Sequence, residues 1–228
     1  MTAAHQLLIA ASWWRALRWQ PMVASWVLSA ALLVWRANDV HNAAAAVTLL
    51  RVVAVLLTLG ALFVLDDEAR SIAAAAAVSL AVRTTTRVAV AAVGCAAAWL
   101  PALALTEART GVRFPAAISV EIAALLACGL AVAAVAQRFF DLPEPGLATG
   151  PAAFGLILGL LLLPEQFAFV TPPGDGWPAA HVRWAGLLAF GALVLVAGMR
   201  DPASRPLRAR FLRVSASDDG CRAVTARS

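Results

Sequence analysis

Six long apolar stretches run through this 228-residue chain, and they constrain its fold more than any other feature. Hydrophobic residues make up 62% of the sequence and charged residues only 14%, whereas soluble domains are about 45–50% apolar and about 25% charged. A helix needs about 20 apolar residues to cross a bilayer. The stretches do not alternate polar and apolar residues as the strands of a membrane β-barrel do. The sequence therefore predicts an all-α, polytopic membrane protein with six transmembrane helices.

The predicted transmembrane domain covers residues 19–199. Residues 1–18 combine tryptophan, leucine and arginine, which is typical of an interfacial N-terminal helix, either a simple anchor or a contact for a cytoplasmic partner. Residues 200–228 form a basic, polar tail that predicts disorder. The predicted spans are Trp19–Trp35, Ala43–Leu65, Val88–Thr106, Ile118–Gln137, Pro151–Val170 and Val182–Met199.

Arginine placement predicts the orientation, because cytoplasmic loops of membrane proteins are enriched in basic residues. With six spans, thirteen arginines fall on the side that holds both termini and four on the other side. We therefore expect a multi-pass protein of the cell membrane with both termini in the cytoplasm. A pI of about 10.8 also suits nucleic-acid binding, but the arginines flank membrane spans, where anionic lipid accounts for them. We expect contacts with membrane lipids and none with nucleic acid.

The chain lacks the residues that several kinds of enzyme require. All eighteen basic residues are arginines, whereas a P-loop needs a lysine that reaches the β- and γ-phosphates of ATP. The three histidines are isolated in the sequence and form no metal-binding pattern, and no nucleophile motif occurs. We predict a protein that is not an enzyme, with no catalytic residue, no bound metal and no cofactor. Energy for any active process would have to come from another subunit.

Arg51 is the only basic residue well inside a predicted span. It lies about 12 Å along the helix from Ala43, at 1.5 Å per residue. A charge at such depth is costly, and it usually pairs with an acid or faces a cavity. Glu121 and Glu165 are predicted at comparable depth, so we expect an intramembrane ion pair between Arg51 and one of them. A structural pair and a substrate contact both remain open.

Two segments between the spans carry polar residues in unusual places. Asp66-Asp67-Glu68 follows the second span and precedes the alanine-rich stretch Ala69–Val82, which predicts a short cytoplasmic helix between spans two and three. This helix is either a connector or a docking element. Pro164, with Glu165 and Gln166 directly after it, predicts a break in the fifth helix. The break leads either to a short re-entrant helix or to an ordinary kinked span with a tight loop.

The layout resembles the permease subunits of ABC exporters of the drug and polysaccharide type found in actinobacteria. The residues that carry the resemblance are Leu65-Asp-Asp-Glu-Ala-Arg70 with its basic continuation to Arg87, and Phe169-Val-Thr-Pro-Pro-Gly-Asp-Gly-Trp177 with its continuation to Trp184. The resemblance implies a separate cytoplasmic ATPase subunit, a homo- or heterodimer with another permease half, and alternating access.

The resemblance also implies roles for individual residues. It places the coupling to the ATPase at Asp66, Asp67, Glu68 and Arg70, and an outer gate at Pro164, Glu165 and Gln166. Two other functions remain open. A non-transporting membrane scaffold or accessory subunit would need no polar lining in its spans. A secondary transporter would need internal repeats and a titratable site at the middle of the membrane, and spans one to three do not resemble spans four to six.

Overall fold

The computed structural model describes residues 18–36, 42–66, 80–111, 113, 117–140, 144–164 and 167–199. Within these ranges the regular secondary structure is entirely helical. Several predicted features lie outside the described residues. They are the interfacial helix up to residue 17, the tail 200–228, and the residues Asp67, Glu68, Arg70, Glu165 and Gln166.

Six α-helices make up most of the described chain. They are α1 (Trp19–Arg36), α2 (Ala43–Leu62), α3 (Leu80–Thr110), α4 (Ala117–Phe140), α5 (Pro145–Leu161) and α6 (Trp177–Met199). Four helical segments are long and apolar enough to cross a bilayer, namely Ala43–Leu65, Ala81–Thr110, Ala117–Phe139 and Trp177–Met199. Helices α1 and α5 fall outside that set, so membrane association follows from the four long helices and the six-span count stays a prediction.

Helix α2 lies at the centre of the bundle and packs against α1, α3, α4 and α5. It begins at a true N-cap, because the Asn42 side chain accepts a hydrogen bond from the Ala45 amide at 2.8 Å. Leu50, Val53 and Leu57 are fully buried and recur at helical spacing, so they form one continuous inward face. A 3₁₀ turn, Phe63–Leu65, continues the helix to its polar end.

Helices α4 and α6 form the most extensive helix–helix interface among the described residues. They approach closely because Gly191 of α6 lies directly against the backbone of α4. A Cβ atom at this position would lie 2.8 Å from Cys128 Sγ and 3.0 Å from the Cys128 backbone nitrogen. Small residues at helix contacts are the usual means by which membrane helices pack tightly.

Helix α5 departs most from the prediction. The predicted span Pro151–Val170 was wrong at both ends, because the helix begins at Pro145 and ends at Leu161. Proline suits the first turn of a helix, where its missing amide donor has no partner to lose, and Pro151 is accommodated inside the helix. The described residues among 162–176 contain no α-helix, so the fifth helix does not continue as a span among them. The Phe167 amide donates to the Pro164 oxygen at 2.8 Å, and the predicted re-entrant helix stays a prediction because residues 165 and 166 lie outside the described ranges.

Helix α3 is longer than the predicted span Val88–Thr106. It starts at Leu80, so residues 80–82, which were expected to end a separate cytoplasmic helix, are the first turn of α3. Residues 67–79, the rest of that expected helix, lie outside the described ranges.

Candidate functional site: a buried ion-pair cluster beside an apolar cavity

Arg51 and Glu121 form a bidentate ion pair between α2 and α4. Arg51 Nε and Nη2 donate to Glu121 Oε2 and Oε1, each at 2.8 Å. Both residues lie within about 12 Å of the start of their helices, and the two starts lie at the same end of the bundle. The structure thus brings together two of the three residues predicted for the intramembrane pair. The third, Glu165, is outside the described residues.

The pair is largely removed from solvent. The side chain of Glu121 is 3% exposed and that of Arg51 is 15% exposed. Transferring two such charges out of water costs free energy, because both ions lose their hydration. Only good pair geometry with additional hydrogen bonds offsets this desolvation penalty. The paired, two-bond arrangement meets that requirement, because charge-assisted bidentate contacts are among the strongest hydrogen bonds in proteins.

His181 of α6 is the third member of this cluster. Its Nδ1 lies 2.8 Å from the backbone oxygen of Trp177, and its Nε2 lies 3.1 Å from Glu121 Oε1. A carbonyl oxygen only accepts, so Nδ1 must carry the hydrogen of a neutral ring, which leaves a lone pair on Nε2. In the present geometry Nε2 makes no aligned hydrogen bond with any described residue.

Sequence reasoning missed His181 by treating all three histidines as isolated. The signal lay in the start of α6, where Trp177 and His181 are four residues apart and therefore stack on one face. Their ring centroids are 4.3 Å apart, and Arg51 Cζ lies 5.5 Å from the centroid of the Trp177 ring. Tryptophan is the best aromatic partner for a guanidinium. One face of Arg51 is therefore covered by an indole and one edge by a carboxylate.

An apolar cavity of ≈ 360 Å³ adjoins this cluster, with Arg51 and Glu121 in its wall. Helices α2 to α6 all contribute lining side chains. Its floor consists of buried residues, namely Ala54, Trp99, Ile118, Ile157 and Trp184. Its mouth is formed by exposed residues of α2 and α5, namely Thr48, Val52, Phe154 and Leu158.

The segment that precedes α6 closes one side of the cavity with Val170. It is held against α6 by two hydrogen bonds to its backbone. Arg183 Nη1 donates to the Ala168 oxygen at 2.7 Å, and Trp184 Nε1 donates to the Phe169 oxygen at 2.8 Å. Side-chain donors thus satisfy irregular backbone beside the bundle, a condition for keeping such backbone away from water.

A second polar cluster lies at the opposite end of the bundle and centres on Asp66. The Gly146 amide donates to Asp66 Oδ1 at 2.6 Å, so Asp66 caps the first turn of α5 from a distant part of the chain. Arg87 Nη1 donates to the backbone oxygens of Leu65 and Asp66, at 3.2 and 2.7 Å. This end of α2 is therefore joined to the start of α5 and to α3.

Arg18 extends the second cluster towards the surface. Its Nη1 lies 3.6 Å from Asp66 Oδ2, and its Nη2 lies 3.1 Å from Glu144 Oε1. Asp66 lies just beyond the candidate span Ala43–Leu65 and is fully buried. Burial raises the pKa of the Asp66 carboxyl above its ordinary value of 3.8, although the Gly146 amide and the charge of Arg18 act in the opposite direction.

The remaining predicted site residues fall into two groups. Of the proposed coupling residues, Asp66 is fully buried within the helix bundle. The other three, Asp67, Glu68 and Arg70, are outside the described residues. Of the proposed outer gate, Pro164 is exposed just after the end of α5, and Glu165 and Gln166 are outside the described residues. The roles assigned to both groups stay predictions.

No cluster of three or more metal-ligating side chains occurs among the residues that the structure describes. Comparison of the chain with protein families, with curated protein sequences and with solved structures finds no match.

Proposed function

We propose that this chain is the membrane-spanning permease subunit of an ABC-type exporter. A separate cytoplasmic ATPase subunit supplies the energy, and the substrate crosses by alternating access. In this proposal the chain is a six-span protein of the cell membrane with both termini in the cytoplasm, and it pairs with another permease half.

One observation carries the proposal, which is the Arg51–Glu121–His181 cluster in the wall of an apolar cavity. Ionisable groups inside membrane helices are costly, and they typically mark the pathway of a substrate or ion. A scaffold held together by apolar packing needs neither the charges nor the cavity. The missing lysine argues for a separate energy source, because this chain cannot form a P-loop.

The second polar cluster supplies a route for coupling. Residues 67–79 directly follow Asp66, so force applied by an ATPase to this connection would act on Asp66. Asp66 holds the Gly146 amide at the start of α5. Further along the same helix, Phe154, Ile157 and Leu158 line the cavity. A shift of the connection would therefore move one wall of the cavity.

Helix α5 also offers a face for the second permease half. Gly155 and Gly159 are exposed, and a Cβ at either position would meet no atom within 4 Å. This GxxxG pair therefore makes no close helix contact with the described part of the chain, and such pairs allow close approach of a neighbouring helix.

Copurification tests the proposal. The tagged chain should be extracted from native membranes in a mild detergent, and the attached proteins identified by mass spectrometry. We expect a cytoplasmic protein with a P-loop to copurify, and the complex to hydrolyse ATP. Recovery of the chain with no nucleotide-binding protein, at full yield and in several detergents, would contradict the proposal.

Charge reversal tests the coupling role of the connection. The variant Asp67→Lys/Glu68→Lys should reach the membrane normally but lose ATPase attachment or ATP-driven transport. Asp175→Lys, an exposed acid at the opposite end of the bundle, is the matched control and should retain both. If the Asp67→Lys/Glu68→Lys variant keeps ATPase attachment and transport as Asp175→Lys does, the connection is only a linker.

A further inference from the structure

We propose that the cavity lined by helices α2 to α6 binds an anionic amphiphile, with its apolar chain in the cavity and its head at Arg51. The proposal deepens the proposed function by naming the substrate class. The binding itself requires only this chain, so the test below stands apart from the presence of an ATPase.

The size and lining of the cavity favour an apolar chain. Small-molecule sites are typically about 300–1,000 Å³, mostly apolar, with a few placed polar groups that fix orientation. At ≈ 360 Å³ this cavity falls at the lower end of that range, and its polar lining is confined to Thr48, Arg51 and Glu121. The volume suits a single chain rather than a bulky multi-ring molecule.

The hydrogen-bonding inventory of the cluster favours an anionic head. Arg51 has five N–H donors, and the two nitrogens that bind Glu121 leave both hydrogens of Nη1 available. No described residue accepts from Nη1. Each oxygen of Glu121 accepts one hydrogen bond from Arg51. His181 is not among the residues that line the cavity. The unused donors of Arg51, in the wall of the cavity, match a carboxylate or phosphate head and would repel a cationic one.

The position of the mouth indicates entry from the bilayer. Val52, Phe154 and Leu158 are 44%, 47% and 42% exposed, and they form an apolar rim on the side of the bundle. A water-facing entrance would place such a rim against solvent at considerable cost. Against lipid it has no such cost, so an amphiphile already dissolved in the membrane can enter sideways.

Photo-labelling tests the proposal on the purified chain. The protein is placed in nanodiscs of phosphatidylcholine and labelled with dodecanoate that carries a diazirine near the chain end. Competitors are dodecanoate, dodecanol and dodecyltrimethylammonium, which share a chain and differ in the head. Labelled peptides are then identified by mass spectrometry.

We expect labelling on the cavity-lining parts of α2, α4 and α5, with dodecanoate competing at least about tenfold better than dodecanol. A charge-assisted hydrogen bond accounts for a difference of that size. The cationic competitor should be no better than dodecanol. To distinguish an exogenous amphiphile from a retained membrane lipid, lipids extracted from the purified protein should be analysed before labelling. An enriched anionic lipid would identify the natural occupant as a lipid.

Two variants of α5 locate the site. Leu158→Trp fills the mouth and should abolish competable labelling. Leu156→Trp makes the same change at a residue that is similarly exposed, 43% against 42%, but does not line the cavity, and it should label as the wild type does. Equal labelling of the two variants, or equal competition by all three heads, would overturn the proposal. Neither result would bear on whether an ATPase copurifies with the chain.

Discussion

Arg51 is a charged side chain within an apolar helix, and its neighbours offset much of the cost of placing it there. Glu121 neutralises the charge through two hydrogen bonds, and Trp177 covers one face of the guanidinium. The pair could be anticipated from the sequence because a lone arginine in a span requires an acid, and few acids occur at its depth. Which glutamate pairs with Arg51 depends on the packing of α2 against α4. This packing brings together residues that are distant in the sequence, so it could not be predicted from composition or spacing.

The Arg51–Glu121 pair makes a prediction about stability. Arg51→Leu should lower the free energy of unfolding by about 3–5 kcal/mol, because it leaves the Glu121 carboxylate buried without its partner. The double variant Arg51→Leu/Glu121→Leu should recover most of that loss, since two apolar side chains need no compensation. Thermal or denaturant unfolding in a neutral detergent measures both. Additive losses in the double variant would contradict the pairing.

Asp66 makes a prediction about pH. Its folded-state pKa is raised by burial, so the folded protein holds the proton more tightly than the unfolded chain does. Stability should therefore increase as the pH falls through the raised pKa, and the gain should be complete below the ordinary value of 3.8. Asp66→Asn cannot titrate and can still accept the Gly146 amide. The difference in melting temperature between wild type and Asp66→Asn should move in favour of the wild type from neutral to acidic pH. A difference that moves the other way would contradict the raised pKa.

At the scale of elements, α5 is the helix whose placement depends most on distant residues. Its start is capped by Asp66, 80 positions earlier in the chain, and Gly146 fits tightly against the end of α2. A Cβ at Gly146 would lie 2.5 Å from the Leu62 backbone oxygen and 2.7 Å from its carbonyl carbon. The contact is with backbone, so no side-chain rearrangement can relieve it.

Gly146→Ala should therefore destabilise the protein by about 1–3 kcal/mol, the usual cost of overpacking. Gly150→Ala is the matched control on the same helix, because a Cβ there meets no atom within 4 Å. It should be neutral or slightly stabilising, since alanine restricts the unfolded chain more than glycine does. Unfolding midpoints of the two variants check this. Equal midpoints would mean that α5 does not rest on the end of α2.

The elements differ in how well the sequence predicted them. The predicted spans of α2 and α4 lie close to the observed helices, because both are long, mostly apolar runs bounded by polar residues. The bounds of α5 were wrong, because Pro151 was read as the start of a span when Pro145 begins the helix. The Asp66 cap could not have been found from the sequence, because it joins residues that only the packed bundle brings together.

At the scale of the whole molecule, two polar clusters lie at opposite ends of an apolar bundle. The cluster at Asp66 joins the ends of α2 and α5 with α3, and the cluster at Arg51 joins the starts of α2, α4 and α6. Helix α5 connects the two, since one end contacts Asp66 and its middle lines the cavity. In the proposed exporter, this arrangement would pass a movement of the connection after Asp66 to the wall of the cavity.

The proposed topology gives a prediction of its own. Single cysteines introduced at Gly174 and Ser215, in a chain whose three native cysteines are replaced, should differ in labelling. A membrane-impermeant maleimide added to intact cells should modify position 174 and not position 215, because the arginine-rich tail is predicted to be cytoplasmic. Permeabilised cells provide the control, in which both should react. Labelling of position 215 in intact cells would reverse the orientation.

The most direct measurement of the central claim is ATP hydrolysis by the copurified complex in nanodiscs, compared among the wild type, Leu158→Trp and Leu156→Trp. If the cavity lies on a transport route driven by a separate ATPase, filling its mouth in Leu158→Trp should change the hydrolysis rate or remove its response to dodecanoate. Leu156→Trp, with its new indole outside the cavity, should hydrolyse ATP as the wild type does. An ATPase that copurifies but hydrolyses ATP at the same rate in all three proteins, with and without dodecanoate, would contradict the claim.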